Sequence, residues 1–158
     1  MRRHAAEKGD PMDPLRILVV DDEKDFTEML CLRLEEAGHL AHAAHDGKGC
    51  MEMLDTHPYD VLILDIRMPG MDGLQVLRQI KSDHISTEVI LLTGHGSTET
   101  AVEGMKRGAF DYALKPYDFA DLLEKIHDAR EVKRKREARI RKAEERSRLD
   151  RLEKSIRF

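Results

Sequence analysis

The chain has no long apolar segment. None of its 158 residues belongs to a run approaching the roughly 18 consecutive apolar residues that a membrane-spanning helix needs. The first 13 residues, MRRHAAEKGDPMD, also lack the apolar stretch of an export signal. We therefore expect a cytoplasmic protein without a membrane partner.

Cysteine is scarce, and nucleotide-binding loops are missing. Cys31 and Cys50 lie in segments with helical periodicity and form no CxxC pair, which favours free thiols over a disulfide or a metal site. His39, His42 and His45 do not favour a metal site either, because residues three apart in a strand point to opposite faces. No GxGxxG or GxxxxGKS/T motif follows the first apolar run.

Charge is nearly balanced over the whole chain but not along it. The 27 basic and 31 acidic residues give a net charge of −4. Residues 131–158 contain 12 Lys or Arg and 6 Asp or Glu, a net of +6, which leaves −10 for residues 1–130. The chain therefore consists of an acidic unit and a basic unit.

Apolar runs alternate with amphipathic segments between residues 15 and 130. The runs LRILVV, VLILD and VILLT are continuous, as in strands buried on both faces of a parallel sheet, and weaker strand patterns cover residues 39–44 and 110–114. Helical spacing separates the runs, and Gly38 is a fitting end for the first helix. Five strands and five helices in alternation predict a doubly wound α/β fold over residues 14–130, after a flexible leader at residues 1–13.

Polar residues end the predicted strands. The first predicted strand, LRILVV, is followed by Asp21 and Asp22, and the third, VLILD, ends in Asp65. The fourth, VILLT, ends in Thr93, and the fifth, at residues 110–114, is followed by Lys115. In an open α/β sheet the carboxyl ends of the strands border one crevice, so these side chains should converge. Clustered carboxylates repel one another, and an all-oxygen site partly open to water suits Mg²⁺. We therefore predict a divalent metal site.

Four motifs in this order, ILVVDDE, LILDIRMPGMDG, LLTGHGS and GAFDYALKP, resemble the receiver domain of bacterial two-component response regulators. The resemblance covers about residues 14–130. It implies a flavodoxin-like (βα)5 fold with strand order 2-1-3-4-5.

The resemblance also implies roles for the strand-end residues. Asp65 would be the phospho-acceptor, and its carboxylate would attack the phosphorus of a phosphohistidine. Asp22, Asp65 and the backbone carbonyl of Arg67 would hold Mg²⁺ directly, and Asp21 would do so through water. Lys115 would pair with a phosphoryl oxygen, and the bond between it and the following proline is typically cis in the family.

Signal output would depend on Thr93 and Tyr112. In the resembled family the hydroxyl turns toward the phosphoryl group and the aromatic side chain rotates into the vacated space, which reshapes the face of the fourth helix, fifth strand and fifth helix. Arg67 and His95 would border the route of the hydrolytic water and set the phosphoryl lifetime. The related aspartate-based phosphatases need an acid where Arg67 stands, so we expect self-catalysed phosphoryl transfer and autodephosphorylation only.

The basic extension, residues 131–158, has several interpretations. Residues 118–158 contain no Gly or Pro, so the fifth helix could run to the end over roughly 60 Å. The apolar residues supply only pieces of a heptad seam. A solvated helix, a dimerising or docking helix, and a helix that contacts nucleic acid or an acidic surface all remain open.

We therefore predict a phosphorylation-gated receiver that is served by a sensor histidine kinase and acts on a downstream protein. A homodimer through the fourth helix, fifth strand and fifth helix or through the C-terminal helix is open, whereas nucleic acid is disfavoured because no binding fold follows the receiver. Two alternatives stand beside this prediction. One is a phosphorelay intermediate that serves a histidine phosphotransfer protein, and the other is a transcriptional regulator whose basic tail contacts DNA.

Overall fold

A computed structural model describes residues 14–68, 70–83, 86–94 and 98–156. The residues assigned above to a leader, 1–13, lie outside the described residues, as does His95. One parallel sheet contains the strands β1 (Arg16–Val20), β2 (Leu40–Ala44), β3 (Val61–Asp65), β4 (Glu88–Thr93) and β5 (Asp111–Leu114). The helices are α1 (Lys24–Glu36), α2 (Gly47–Thr56), α3 (Gly73–Asp83), α4 (Thr98–Lys106) and α5 (Phe119–Ile156).

The strand order is β2-β1-β3-β4-β5, and every neighbouring pair is parallel. This order confirms the predicted flavodoxin-like (βα)5 fold. A short antiparallel ribbon joins Arg67–Met68 to Met71–Asp72 after β3 and was not predicted, because two-residue strands leave no periodicity to detect.

The continuous apolar runs arise because the central strands are covered on both faces. Alternate residues of β1, β3 and β4 enter two separate cores. One core holds Leu18, Val20, Leu62, Leu64, Val89 and Leu91 together with residues of α2 and α3. The other holds Ile17, Val19, Ile63, Ile90 and Leu92 together with residues of α1 and α5.

Two glycines have identifiable structural roles: Gly38 ends a helix as predicted, and Gly73 allows a helix to approach the sheet closely. Gly38 has φ of +98° just after α1, a conformation that favours glycine and ends the helix where the sequence predicts. Gly73 begins α3 so close to the end of β3 that an added Cβ would lie 2.5 Å from the Ile66 carbonyl oxygen. The absence of a side chain therefore brings α3 against the carboxyl edge of the sheet.

Helix α5 is one continuous helix of 38 residues. Its first turns bury Leu122, Ile126 and Ala129 against the sheet, whereas every residue from 139 to 156 is exposed. This continuity agrees with the expectation of an uninterrupted helix. Within the described part of the chain no helix combines the length and apolar character needed to cross a bilayer.

The amino-terminal edge of the sheet holds the helix in place beyond residue 130. Lys133 Nζ donates to Asp60 Oδ1 at 2.8 Å, and the Arg136 guanidinium pairs with the Glu88 carboxylate. Asp60 also accepts a hydrogen bond from the Arg16 amide at 2.9 Å, and Glu88 is only 3% exposed. We call Asp60, Glu88, Lys133 and Arg136 the basal clamp.

Candidate functional site

Three aspartates meet at the carboxyl edge of the sheet. Asp21 and Asp22 follow β1, and Asp65 is the last residue of β3, the strand beside β1. One carboxylate oxygen from each lies within 4.8 Å of the other two. Asp21 and Asp65 are buried and Asp22 is exposed, so the cluster opens to solvent on one side. Adjacent parallel strands thus bring the predicted carboxylates together.

Lys115 reaches this cluster from the far end of the sheet. Its ammonium lies 2.6 Å from Asp21 Oδ2 and 3.7 Å from Glu23 Oε1, and it lies 4.5 Å from the centre of the Phe26 ring. The Lys115 amide donates to the Thr93 carbonyl at 2.7 Å, and the peptide bond to Pro116 is cis. A single ammonium thus faces three clustered carboxylates.

The two oxygens of Asp21 are already engaged. Oδ1 accepts a hydrogen bond from the Glu23 amide at 3.0 Å, and Oδ2 accepts one from Lys115. Asp65 accepts only a long hydrogen bond, 3.4 Å from the Arg67 amide. Free acceptor capacity is therefore concentrated on Asp65 and on the exposed Asp22.

The electrostatics reflect the excess of negative charge. Burial and, after it, the charge of the neighbouring Asp21 carboxylate raise the pKa of Asp65 to about 6, against opposing effects of Lys115 and the Arg67 amide. Burial by itself would lower the pKa of Lys115, but the hydrogen bond with Asp21 and the Asp65 charge raise it above its usual value. Asp65 thus lacks a sufficient counter-charge, whereas Lys115 is firmly cationic.

Thr93 ends β4 beside Asp65 and is 1% exposed. Its hydroxyl is the one buried side-chain polar atom among the described residues without a hydrogen-bond partner. Buried hydroxyls are normally satisfied, so this atom needs an explanation. An anionic oxygen bound between Asp65 and Lys115 would supply the missing acceptor.

A divalent cation fits the donor set. The three carboxylates, of which Asp22 and Asp65 keep free oxygen capacity, are partly open to water and are hard ligands of the kind that Mg²⁺ takes. Among the described residues, this is the one group of at least three His, Cys, Asp or Glu side chains placed to hold a metal ion. The histidines that were weighed for a metal site have other partners: His39 accepts from the Leu15 amide, His42 contacts the Tyr59 hydroxyl and His45 contacts the Asp21 carbonyl.

Two predicted residues lie at the periphery of the site. The Arg67 side chain is exposed and lines a cleft with Ile66, Met68, Asp72 and Thr100. Tyr112 lies on β5 and is 37% exposed, on the surface shared with α5. Neither side chain is in the carboxylate cluster.

Sequence reasoning did not anticipate Phe26 and Glu23 beside Lys115. Phe26 has the spacing of a core residue and packs against the core of α1 and α5, and its ring also lies 4.5 Å from the ammonium. Glu23 directly follows the acidic pair, and this proximity in sequence is the signal that could have identified it.

Comparisons with known proteins agree with this fold. The family model described as the response regulator receiver domain matches residues 17–127. Since this match covers most of the chain, the protein belongs to the response regulator receiver domain family.

Individual relatives and structures support the same assignment. The chain is 44% identical over 108 residues, 68% of its length, to the regulatory protein AtoC of Escherichia coli, and 34% identical over 112 residues, 71% of its length, to the transcriptional regulatory protein TcrA of Mycobacterium tuberculosis. It spans only 23% of AtoC and 44% of TcrA. The Francisella response regulator 1452 receiver domain matches with a TM-score of 0.69 and 33% identity, covering 74% of this chain and 97% of that one. NtrX from Brucella abortus matches with a TM-score of 0.76 and 34% identity, covering 80% and 29%.

Proposed function

We propose that Asp65 accepts a phosphoryl group from a phosphohistidine of a sensor histidine kinase. An Asp65 oxygen would form the bond to phosphorus while the phosphorus–nitrogen bond breaks and the electron pair stays on the histidine nitrogen. The observation that carries this proposal is the uncompensated negative charge at Asp65. This carboxylate has free acceptor capacity and lies beside two other carboxylates and one ammonium. Self-catalysed transfer of this kind depends mainly on positioning and on neutralising charge.

Asp22, Asp65 and the Arg67 carbonyl would hold Mg²⁺ directly, and Asp21 would do so through water. The hydrogen bonds support this separation of roles, because both Asp21 oxygens already accept protein donors and the other two carboxylates are freer. When bound, the ion would offset the repulsion between a carboxylate and an anionic phosphoryl group.

Lys115 provides the positive charge that belongs to the chain itself. It is held at Asp21 by a 2.6 Å contact, with the Phe26 ring on one side. A phosphoryl oxygen on Asp65 would compete with Asp21 for this ammonium. Lys115 would thereby stabilise the acyl phosphate and register its presence.

Thr93 and Tyr112 would convert phosphorylation into a change of surface. The Thr93 hydroxyl is buried and unpaired next to Asp65, so a phosphoryl oxygen is a fitting acceptor for it. Tyr112 is partly exposed on β5 and borders a groove with Asp111 and Lys125, whose side chains form an ion pair at 3.0 Å. Reorientation of Tyr112 would alter the face of α4, β5 and α5 that a downstream protein or a second copy contacts.

Arg67 and His95 would set the lifetime of the acyl phosphate. The Arg67 side chain is exposed above the cleft next to Asp65, where it can shield the phosphoryl group or pair with it. Exchange of both residues for Ala should change the dephosphorylation rate, and an unchanged rate would contradict this role.

Transcriptional control is a second candidate for the output. Several relatives bear the names of transcriptional regulators, and this chain matches a part of each. Onward transfer from Asp65 to a histidine phosphotransfer protein is the phosphorelay alternative. Reversible exchange of phosphate with such a protein would favour that alternative.

The direct test is to incubate the full chain with Mg²⁺ and acetyl phosphate and to follow its intact mass. We expect one phosphoryl adduct that hydroxylamine removes, as for an acyl phosphate, and that Mg²⁺ chelation prevents. Asp65→Asn should abolish the adduct. Asp128→Asn, an exposed aspartate of α5, is the matched control and should keep it. An adduct that persists in Asp65→Asn, or none on the native chain, would overturn the assignment.

A further inference from the structure

The exposed part of α5 carries two stripes of basic residues with different surroundings. Successive helical residues are about 100° apart, so residues spaced by three, four or seven positions share a face. The first stripe is Lys135, Arg139, Lys142 and Arg146, and the second is Arg134, Arg141 and Arg148. We call them the open stripe and the paired stripe.

The paired stripe is neutralised along the helix. Arg134 has Glu131 three residues before it, at 3.5 Å, and Glu137 three residues after it. Glu144 and Glu145 lie three or four residues from Arg141 and from Arg148. Such spacing stabilises an exposed helix, and a solvated helix needs nothing more.

The open stripe has less of this compensation, because Lys135, Lys142 and Arg146 each have a single acidic residue three or four positions away, Glu131, Glu145 and Asp150. Arg139 has no acidic residue three or four positions away, and its neighbours at those positions include the like charges Lys135 and Lys142. Among the described residues no hydrogen bond or ion pair joins an open-stripe side chain to another residue, whereas Arg134 of the paired stripe contacts Glu131. The three like-charge spacings within the stripe oppose helix formation, and the single acids beside Lys135, Lys142 and Arg146 leave the stripe with a net positive charge.

The basal clamp determines where the open stripe points. Lys133 and Arg136 join the core residues of α5 on the side that faces the receiver. Helical geometry places the open stripe roughly 120° around the helix from this side, and the paired stripe lies at a similar angle on the opposite flank. All four open-stripe residues are exposed, pointing away from the acidic residues of the receiver.

From this arrangement we propose that the open stripe binds the phosphate backbone of duplex DNA without reading its sequence. Four cations on a rigid helix span about 17 Å, and duplex DNA presents one negative charge per roughly 1.7 Å. The extension contains no Asn or Gln for adenine recognition, which favours backbone contacts over base contacts.

A membrane surface fits the extension less well. Among its described residues the large exposed apolar side chains, Val132, Ile140, Leu149, Leu152 and Ile156, are few, and Ile140 lies on the opposite side of the helix from Leu149. A helix that lies on a bilayer needs a contiguous apolar face. The proposal does not depend on phosphoryl transfer at Asp65.

The test measures anisotropy of a labelled mixed-sequence duplex of about 20 base pairs, titrated with the full unphosphorylated chain over a range of salt. Arg139, Lys142 and Arg146 are changed together to Gln in one variant, and Arg134, Arg141 and Arg148 in the other. Both variants lose three positive charges. Circular dichroism verifies that both retain helix α5.

Four phosphate contacts predict a slope of log K against log salt of about −3.6 for the native chain. The open-stripe variant should weaken binding by about tenfold or more and bring the slope to about −0.9, whereas the paired-stripe variant should change affinity less than about threefold. Equal losses in the two variants, no binding by the native chain at low salt, or tighter binding to phosphatidylserine vesicles than to DNA would each overturn the proposal.

Discussion

The two edges of the sheet use the same residue types, but acidic charge is in excess at one edge and balanced at the other. At the carboxyl edge, Lys115 faces three clustered aspartates, and the pKa of Asp65 rises to about 6. At the amino edge, the basal clamp pairs two acids with two bases, and the nearly buried Glu88 has Arg136 to itself. Both edges bring together residues that are distant in sequence. Neither the types of side chain nor their separation in sequence therefore distinguishes the two edges.

The difference lies in what remains uncompensated. A buried carboxylate with a dedicated cation is part of the structure, because removal of either partner leaves a charge in a poor environment. A cluster with spare carboxylates destabilises the ligand-free protein and gains from a bound cation. The carboxyl edge is therefore built for a ligand, and the amino edge is built to hold α5.

The largest expected effect comes from removing Arg136 from the basal clamp at the amino edge of the sheet. Arg136→Ala should lower the free energy of unfolding by about 2–4 kcal/mol, because Glu88 would keep its charge in a buried position without a partner. Urea unfolding measures the change. Arg139→Ala, on an exposed part of the same helix, should cost less than about 0.5 kcal/mol. Glu88→Gln combined with Arg136→Met should recover part of the loss, and a combined variant no more stable than Arg136→Ala would contradict this explanation.

The next effect has the opposite sign. Asp65→Asn should raise the free energy of unfolding without Mg²⁺ at pH 7 by about 1–3 kcal/mol. The native pKa of Asp65, about 6, lies above its ordinary 3.8, so the folded protein binds the proton more tightly than the unfolded chain. The native carboxylate thus costs stability as pH rises from about 4 to 6, and the gain from Asn should be complete above pH 6 and absent below about 4. Urea unfolding across this pH range would show a constant gain if the account were wrong.

The smallest effect sharpens the contrast through a ligand. Mg²⁺ at ten times its dissociation constant should stabilise the native chain by about 1.4 kcal/mol through binding to the folded state alone. Asp22→Asn should reduce this gain strongly, because it removes an exposed carboxylate of the cluster. Thermal unfolding with and without Mg²⁺ measures the difference. A gain of the same size in Asp22→Asn would place the ion elsewhere, and Asp128→Asn serves as the control.

Much of the fold was predictable because its signals are local. Continuous apolar runs indicate strands covered on both faces, and the polar residues that end them converge wherever parallel strands share an edge. These signals predict the fold, and they place five residues at one edge of the sheet, where the structure also has them: Asp21, Asp22, Asp65, Thr93 and Lys115. Their individual roles stay predictions, as does the division of the chain at residues 130 and 131.

The basal clamp was not predictable, because its pairs join positions far apart in sequence. Lys133 and Arg136 belong to a charged segment whose composition indicates a solvated helix, and Glu88 begins an apolar strand. Nothing local shows that α5 passes over the amino edge of the sheet near Asp60 and Glu88. The ion pair between Lys115 and Asp21 was likewise not predictable, because the packing of side chains decides which of the clustered carboxylates the ammonium contacts.

The sequence by itself determined the alternation of strands and helices, the acidic strand ends and the change from a negative net charge over residues 1–130 to a positive one over residues 131–158. These properties follow from periodicity and composition, which act over a few residues. The tertiary structure alone decided which charges are compensated, because that depends on distances between elements. It left Asp65 and the Thr93 hydroxyl without sufficient partners at one edge, and it paired Glu88 with Arg136 at the other.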